Sequence, residues 1–371
     1  MAEHYVSLAE LSVDGKGSYG IGASAVPYSE ELYTYLRITD IKDDGTLNFE
    51  DLKSVDDERA SEYILQPNDI VFARTGASTG RNYFYDGTDG EFVYAGFLIK
   101  FSIDSEKVNP KYVKYYCQSK QYKDWINSFN TGSTRGNINA QTLGKMPIPL
   151  VERKQQDILV NVLSSLDEKI RENERINNNL EQQAQAIYSS LFTEKPNPQW
   201  EIGQLSDLVS VKYGKDHKKL ADGVYPVYGS GGIMRYAERP LYVGESVLIP
   251  RKGTLNNVIY VNGAFWSVDT MFYTEMLRPN IAKFVYHFVK SKDLASLNAG
   301  SAVPSMTTNI LNAMQLHIPD DETLNRFEEV VSPMYQTMQE NEKQSCNLAS
   351  IRDTILPKLM SGELDVSDID L

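Results

Sequence analysis

Residues 159–191, LVNVLSSLDEKIRENERINNNLEQQAQAIYSSL, set Leu159, Leu163, Leu166, Ile170, Asn173, Asn177, Leu180, Ala184, Ile187 and Leu191 at alternating spacings of four and three. Polar residues fill most of the intervening positions, so the spacing predicts a long helix with a coiled-coil seam. The seam recurs 168 residues later as Phe327, Val331, Met334, Met338, Asn341, Ser345, Leu348, Arg352, Ile355 and Leu359. The register also extends upstream of both helices. Asn130 and Gly132-Ser133 match Asn298 and Gly300-Ser301, while Leu143 and Met146 match Leu311 and Met314. The chain is therefore an internal repeat, built twice from an irregular region followed by a long helix.

A two-fold relation between the copies predicts that the helices pair antiparallel. Such pairing gathers the seam residues Leu166, Ile170, Asn173, Asn177, Met334, Met338, Asn341 and Ser345, with the asparagines near the middle. Buried asparagine specifies register at some cost in stability. Ser345 and Arg352 are the weak members of the second seam. Pro333 falls one turn after that seam begins and predicts a kink or restart near Val331.

Farther upstream the repeat survives in pieces. Asn68–Gly76 resembles Gly244–Gly253, and Val6–Leu11 resembles the stretch Gly203–Leu208. The second irregular region is the shorter of the two. The expected organisation is a domain over 1–150, a helix over 151–195, a second domain over 196–319, a helix over 320–362 and an acidic tail over 363–371. Within the first domain, Asp69–Ala73 and Phe92–Phe101 read as strands, and Asn109-Pro110 opens a helix carrying Tyr112, Val113 and Tyr116. Pro147 and Pro149 close it. Ser246–Ile249, Val258–Val261, a helix opened by Pro279-Asn280, and Pro319 repeat that order. The fold class is α+β, with two globular domains separated by two long antiparallel coiled-coil helices.

The chain has 371 residues, 37 basic and 50 acidic groups and a net charge of −13, which argues against simple electrostatic binding of nucleic acid. The charge is uneven. Residues 1–150 carry 15 basic and 21 acidic groups, 151–195 carry 6 and 8, 196–319 carry 12 and 9, and 320–371 carry 4 and 12. The second irregular domain is thus net basic, and the acidity concentrates in the second helix with its tail and in Asp40–Glu62. That balance suits a protein whose DNA affinity is completed by a partner. Cys117 and Cys346, in different copies, read as free thiols. With no apolar run of membrane length and no signal-peptide pattern, the expected location is cytoplasmic, away from any membrane.

Catalytic signatures are missing. Gly15-Lys16-Gly17-Ser18-Tyr19-Gly20 fits G-x-G-x-x-G, but Ile21-Gly22-Ala23-Ser24 and Pro27 follow where a helix is required. There is no Walker A cradle, and Asn197-Pro198-Gln199-Trp200 lacks the second proline of an adenine methyltransferase motif. His4, His217, His287 and His317 are scattered, so no metal or triad constellation is visible. Asp40 with Asp51-Leu52-Lys53 fits a nuclease pattern only loosely. The expectation is a non-catalytic chain without a cofactor or metal of its own.

Equivalent loops in both copies carry groups suited to nucleic acid. The first domain offers Arg74, Thr75, Ser78 and Arg81, then Ser133, Thr134, Arg135 and Asn137. The second offers Arg251, Lys252 and Asn256, then Ser301 and Thr307, with a basic cluster of Lys212, Tyr213 and Lys215. Glycines between them let backbone approach closely, hydroxyls and N–H groups hold phosphates, and Arg or Asn pairs bidentately with base edges.

Taken together, the chain resembles the specificity (S) subunit of type I restriction-modification systems. The resemblance spans essentially the whole chain. It rests on the domain–helix–domain–helix order and on Leu143-Gly144-Lys145-Met146-Pro147-Ile148-Pro149-Leu150 running into Glu152-Arg153-Lys154-Gln155-Gln156. Leu166-Asp167-Glu168-Lys169-Ile170 and Arg352-Asp353-Thr354-Ile355-Leu356-Pro357-Lys358-Leu359-Met360-Ser361-Gly362-Glu363-Leu364 belong to the same set. Ile318-Pro319-Asp320-Asp321-Glu322 departs from it, lacking the usual Pro-Leu-Pro and glutamine-rich entry. The resemblance implies double-stranded DNA as ligand, each domain reading half of a split target while the helices fix the unread spacer. It implies two methyltransferase subunits using S-adenosylmethionine, and restriction subunits using ATP and Mg, as partners. Two other readings stay open from the residues alone: a protein-interaction scaffold without DNA contact, and a pseudo-dimeric nuclease.

Overall fold

Each irregular region is closed by pairing its first strand with its last. In the computed structural model the described residues are 4–49, 51–129, 137–194, 196–297 and 305–360. They form two compact units, Met1–Arg171 with Gln344–Leu371, and Glu172–Lys343.

The first unit contains strands β1 (Tyr5–Ser7), β2 (Ser18–Tyr19), β3 (Ala25–Pro27), β4 (Tyr33–Leu36), β5 (Lys53–Val55), β6 (Asp69–Ala73), β7 (Asn82–Tyr85), β8 (Phe92–Tyr94), β9 (Leu98–Ser102) and β10 (Pro147–Pro149). They assemble as a β2-β9-β6-β7 sheet, a β3-β5-β4-β8 sheet and the β1-β10 clasp. All five residues of β6 are buried, as befits a strand covered on both faces. Phe92–Phe101 is not one strand. A turn at Ala95–Phe97, closed by Leu98 N–H to the Ala95 carbonyl at 2.8 Å, passes the chain from one sheet to the other. Pro147 and Pro149 do more than stop a helix. They sit in β10, an edge strand in which their missing N–H groups are not needed, because Leu8 N–H bonds Met146 O and Leu150 N–H bonds His4 O.

Helices α1 (Pro110–Tyr116), α2 (Lys120–Asn127) and α3 (Ala140–Gly144) cover the first unit, followed by the long α4 (Arg153–Tyr188). Asn109 caps α1 by accepting from Lys111 N–H at 3.0 Å, and Pro110 tolerates the first helical position. Ile158, Leu159, Val160 and Leu163 of α4 enter one apolar core with Leu8, Phe72, Phe101, Tyr112, Leu143 and Ile148.

The second unit contains β11 (Glu201–Gln204), β12 (Val209–Tyr213), β13 (Asp222–Gly229), β14 (Gly232–Ala237), β15 (Tyr242–Pro250), β16 (Ile259–Ser267), β17 (Met271–Met276) and β18 (Gln315–Ile318). Here the sheet is six-stranded, β12-β17-β15-β16-β13-β14, and β11-β18 forms the clasp. Its helices are α5 (Ala282–Lys290), α6 (Thr308–Asn312) and the start of α7 (Asp321–Met360). The second core joins Ala184 and Tyr188 of α4 to Phe284, Val285, Phe288, Phe327, Val331 and Tyr335.

α7 runs without interruption through Pro333 and Pro357, so the helix does not restart near Val331. A helix-interior proline costs about 3 kcal/mol. Burying Phe327, Val331 and Tyr335, each no more than 7% exposed, returns roughly 1.5–3 kcal/mol per side chain and outweighs it. Pro333 itself is exposed, so its ring crowds no packed neighbour.

Within the second unit the helices pair antiparallel. Asn173 Nδ2 donates to Asn341 O at 3.4 Å, Asn177 Nδ2 to Met338 O at 3.1 Å, and Asn341 Nδ2 to Asn177 Oδ1 at 2.8 Å. Met334 and Met338 pack against the core beside them. Within the first unit, Leu166, Ile170 and Ser345 lie half-buried on the same stripes. Arg352, which looks like a weak seam member, instead bonds Asp167 at 3.0 Å. Among the described residues no helix is long and apolar enough to cross a membrane, and Cys117 and Cys346 are free thiols.

Candidate nucleic-acid interface

In both units the strand that ends the central ladder delivers an arginine to the same backbone setting. In the first unit β6 pairs with β9, Ala73 facing Leu98, and Tyr19 on the next strand faces Ile99. In the second unit β15 pairs with β17, Pro250 facing Met271, and Tyr213 faces Phe272. The residue after the strand is Arg74 in one and Arg251 in the other. Arg74 N–H bonds Phe97 O at 3.0 Å, and Arg74 O accepts from Ile138 N–H at 2.9 Å. Arg251 N–H bonds Thr270 O at 2.8 Å, and Arg251 O accepts from Met306 N–H at 3.0 Å. The next residue along makes an isolated bridge in each, Thr75 to Asn137 and Lys252 to Ser305. A side-chain cap then starts a short helix, Asn139 for α3 and Thr307 for α6.

This ladder places each arginine over a tyrosine ring. The Arg74 guanidinium lies 4.9 Å from the Tyr19 ring centre, and that of Arg251 lies 5.4 Å from Tyr213. Both rings are well exposed, 42% for Tyr19 and 52% for Tyr213. Tyr19 Oη accepts from Ala140 N–H at 3.2 Å, tying the ring to α3. Arg251 Nη1 donates to Asp269 O at 3.2 Å, and the buried Nε of Arg74 meets no acceptor among the described residues. A glycine follows each tyrosine for a steric reason. A Cβ on Gly20 would lie inside contact distance of the Tyr94 and Ala95 carbonyls, and one on Gly214 would meet those of Val268 and Ser267. A half-buried planar cation held on an exposed aromatic face, among hydroxyls and backbone N–H groups, is equipped to bind phosphate or a base edge.

The remaining expected contact residues divide by their partners. Ser133, Thr134, Arg135 and Ser301 lie outside the described residues. Thr75 and Asn137 meet beside Arg74, and Lys252 is exposed beside Arg251. Lys215 is also exposed, its backbone fixed by Trp266 Nε1–H to Lys215 O at 2.8 Å, and Lys212 precedes Tyr213, 3.6 Å from Glu275. Ser78 sits in the turn after β6, where its carbonyl accepts from Arg81 N–H. Arg81 donates to Asp43 at 2.6 Å and to Ile41 O at 3.2 Å. Asn256 uses both ends of its amide within the fold, donating to Asp293 and accepting from Ala295 N–H, each at 3.0 Å. The hydroxyl of Thr307 caps α6. Asp40 and Asp51 both reach Arg37, at 2.6 and 3.5 Å, so the acidic pattern around them is an ion-pair cluster.

Two exposed residues at the site were not evident from the loops. Tyr19 is one, and the repeated Tyr-Gly pair, Tyr19-Gly20 and Tyr213-Gly214, is the sequence signal that finds it. Phe97, 60% exposed and bonded through its carbonyl to Arg74, is the other. The second unit adds the β13–β14 hairpin, with exposed Ile233, Met234 and Tyr236. Asn257 Nδ2 bonds Ser230 O at 2.7 Å and so ties the hairpin turn to the loop after Arg251.

Comparison with known proteins converges on one family. The family described as type I restriction modification DNA specificity domain matches this chain twice, over residues 27–182 and 197–345. A type I restriction enzyme specificity subunit from Methanocaldococcus jannaschii is 22% identical over 311 residues, covering 72% of each chain. A protein named as a type I specificity subunit from Mycoplasma pneumoniae is 26% identical over 280 residues, covering 69% of this chain and 74% of its own. The crystal structure of a type I restriction-modification S subunit from M. genitalium aligns over 96% of both chains with a TM-score of 0.57 at 19% identity, a likeness of fold.

Proposed function

The chain belongs to the type I restriction-modification DNA specificity family, and from that premise we propose that it selects the DNA sequence on which a multisubunit methyltransferase acts. Each domain, residues 1–150 and 196–319, reads one half of a split target. The α4–α7 pair sets the unread spacer between the halves and offers docking surfaces to two methyltransferase subunits. The chain does no chemistry itself. S-adenosylmethionine belongs to the methyltransferase partners, and ATP with Mg to restriction subunits where these join.

One observation carries this reading. The same ladder presents Arg74 over Tyr19 and Arg251 over Tyr213, so one chain displays two equivalent cationic, aromatic surfaces. A scaffold without DNA contact gives no reason to keep an arginine stacked on an exposed tyrosine twice while the surrounding sheets diverge. The net charge of −13 fits binding completed by partners, because phosphate attraction must then come largely from elsewhere in the assembly. The test is methylation mapping of DNA exposed to this chain with its methyltransferase subunits. A split motif with two fixed halves supports the reading, and methylation without sequence preference, or none, overturns it.

A further inference from the structure

The two domains serve as controls for one another. Their sheets differ, four strands plus four in the first and a single six-stranded sheet in the second. The hairpin β13–β14 and its exposed side chains belong to the second sheet alone. Against that divergence, the arginine, the tyrosine beneath it, the glycine after the tyrosine and the two backbone bonds of the arginine recur at matching register. A contact that encodes a base must change when the half-site changes. A contact to the sugar–phosphate backbone need not, because phosphates position a protein without carrying sequence.

We infer that the Arg74–Tyr19 and Arg251–Tyr213 pairs are phosphate anchors, one per domain, and that sequence is read by the elements that differ around them. This rests on the DNA-binding reading above. Stacking on the ring restricts a side chain that is otherwise rich in rotamers, leaving terminal guanidinium N–H groups for a phosphate oxygen. Arg74 is half-buried with its Nε enclosed by the fold, so its terminal guanidinium nitrogens are the ones a phosphate oxygen would meet, and Arg251, also half-buried, is steadied by the Asp269 carbonyl. In the second domain the reading element adjoining the anchor is the β13–β14 hairpin, fastened to the anchor's own loop through Asn257. The assignment places Arg251 among backbone contacts and moves discrimination to neighbours such as Ile233, Met234 and Tyr236.

The test uses the full chain assembled with its methyltransferase subunits, carrying Arg74→Gln or Arg251→Gln, with Arg→Lys and Tyr→Phe at the same pairs as milder changes. Duplexes carry the parent's methylated motif, the motif with one mismatch in either half, or unrelated sequence. Each Arg→Gln change should weaken binding to all duplexes by a similar factor and lower the salt slope by about one, leaving the ratio of matched to mismatched affinity unchanged. Tyr19→Phe, Tyr213→Phe and Arg→Lys should weaken all duplexes less than Arg→Gln does, again without changing the ratio of matched to mismatched affinity. A changed preference at one half-site overturns the inference and makes that arginine a base reader. An unchanged salt slope with an unchanged melting temperature also overturns it. Failure of the parent complex to prefer any sequence counts against the functional reading instead, while the salt slope on unrelated duplex still judges the anchors.

Discussion

Asp167 Oδ1 accepts from Arg352 Nη1 at 3.0 Å, joining the first long helix to the last turns of the second within the first unit. The other oxygen of Asp167 takes Lys114 Nζ at 3.1 Å and Tyr115 Oη–H at 2.9 Å from α1. One carboxylate thus ties three helices. Burial pushes its pKa up, but Lys114, Arg352 and Tyr115 together outweigh that and hold it below the ordinary aspartate range. Asp167→Asn should destabilise the first unit by about 3–5 kcal/mol, because it strands partly buried cations. Arg352→Gln should cost less, since Lys114 and Tyr115 remain. Because the folded pKa is depressed, the stabilisation is present above the unfolded value near 4 and is lost as pH falls through the folded one. Melting curves of both variants between neutral pH and pH 3 check this, and equal losses would show that Arg352 is the dominant partner.

His287 occupies the corresponding junction of the second unit, fully buried on α5. Its Nδ1 meets Gln185 Oε1 at 2.8 Å and its Nε2 meets the Tyr335 hydroxyl at 2.9 Å, which fits a neutral ring donating to the glutamine and accepting from the tyrosine. Desolvation pushes its pKa down from 6.5 to about 4; Glu181 opposes this weakly and Lys290 reinforces it. Between those values the unfolded chain binds a proton that the folded chain refuses, so stability falls as pH falls from 6.5 to 4. The shift corresponds to about 3 kcal/mol. Acidification should therefore loosen the second unit, seen as faster amide exchange in α5. His287→Phe should be less stable at neutral pH and show a shallower loss across that window. An equally steep loss in the variant would assign the acid sensitivity to other groups.

The glycines behind the anchor tyrosines should tolerate no side chain. Gly214→Ala drives a methyl into the carbonyls of Val268 and Ser267, and backbone cannot step aside as a flexible side chain could. The expected cost is about 1–3 kcal/mol, from overpacking. Gly22→Ala, with nothing within 4 Å of its added carbon, is the control and should melt like the parent. If both melt alike, the ladder at Tyr213 is looser than its hydrogen bonds imply.

The seam and the repeat were legible because their signal is periodic: a 4-3 spacing survives substitution at any one position, even to arginine. Pro333 signalled a restart that does not occur because local propensity was set against tertiary burial, and burial of Phe327, Val331 and Tyr335 prevails. The clasp strands were invisible because two prolines in Pro147–Pro149 read as stops, whereas an edge strand has no use for their N–H groups. At the interface the sequence picked out Arg74 and Arg251 as loop cations, yet local composition does not distinguish a ligand contact from a structural one. Asn256 and Thr307 have the chemistry of DNA contacts and serve as a loop brace and a helix cap, because the same amide and hydroxyl groups suit both tasks. Tyr19 and Arg74 meet only across a folded sheet, which no local window reveals.

The proposed ruler can be lengthened. Asn173, Asn177 and Asn341 fix the pairing of α4 and α7 through side chain to backbone and side chain to side chain bonds. An insertion must therefore be matched on both helices to keep these partners aligned. One heptad adds about 10 Å at 1.5 Å per residue and holds the seam in phase. Base pairs stack about 3.4 Å apart, so that length corresponds to roughly three base pairs of duplex. The duplex also twists over those pairs, so activity should fall even where binding geometry is met. Seven residues inserted beside Asn173 and seven beside Asn341 should lengthen the unread spacer while both half-sites stay as in the parent. Methylated motifs mapped from the two proteins decide the matter. Changed half-sites at an unchanged spacer would show that the helices are not what measures the distance.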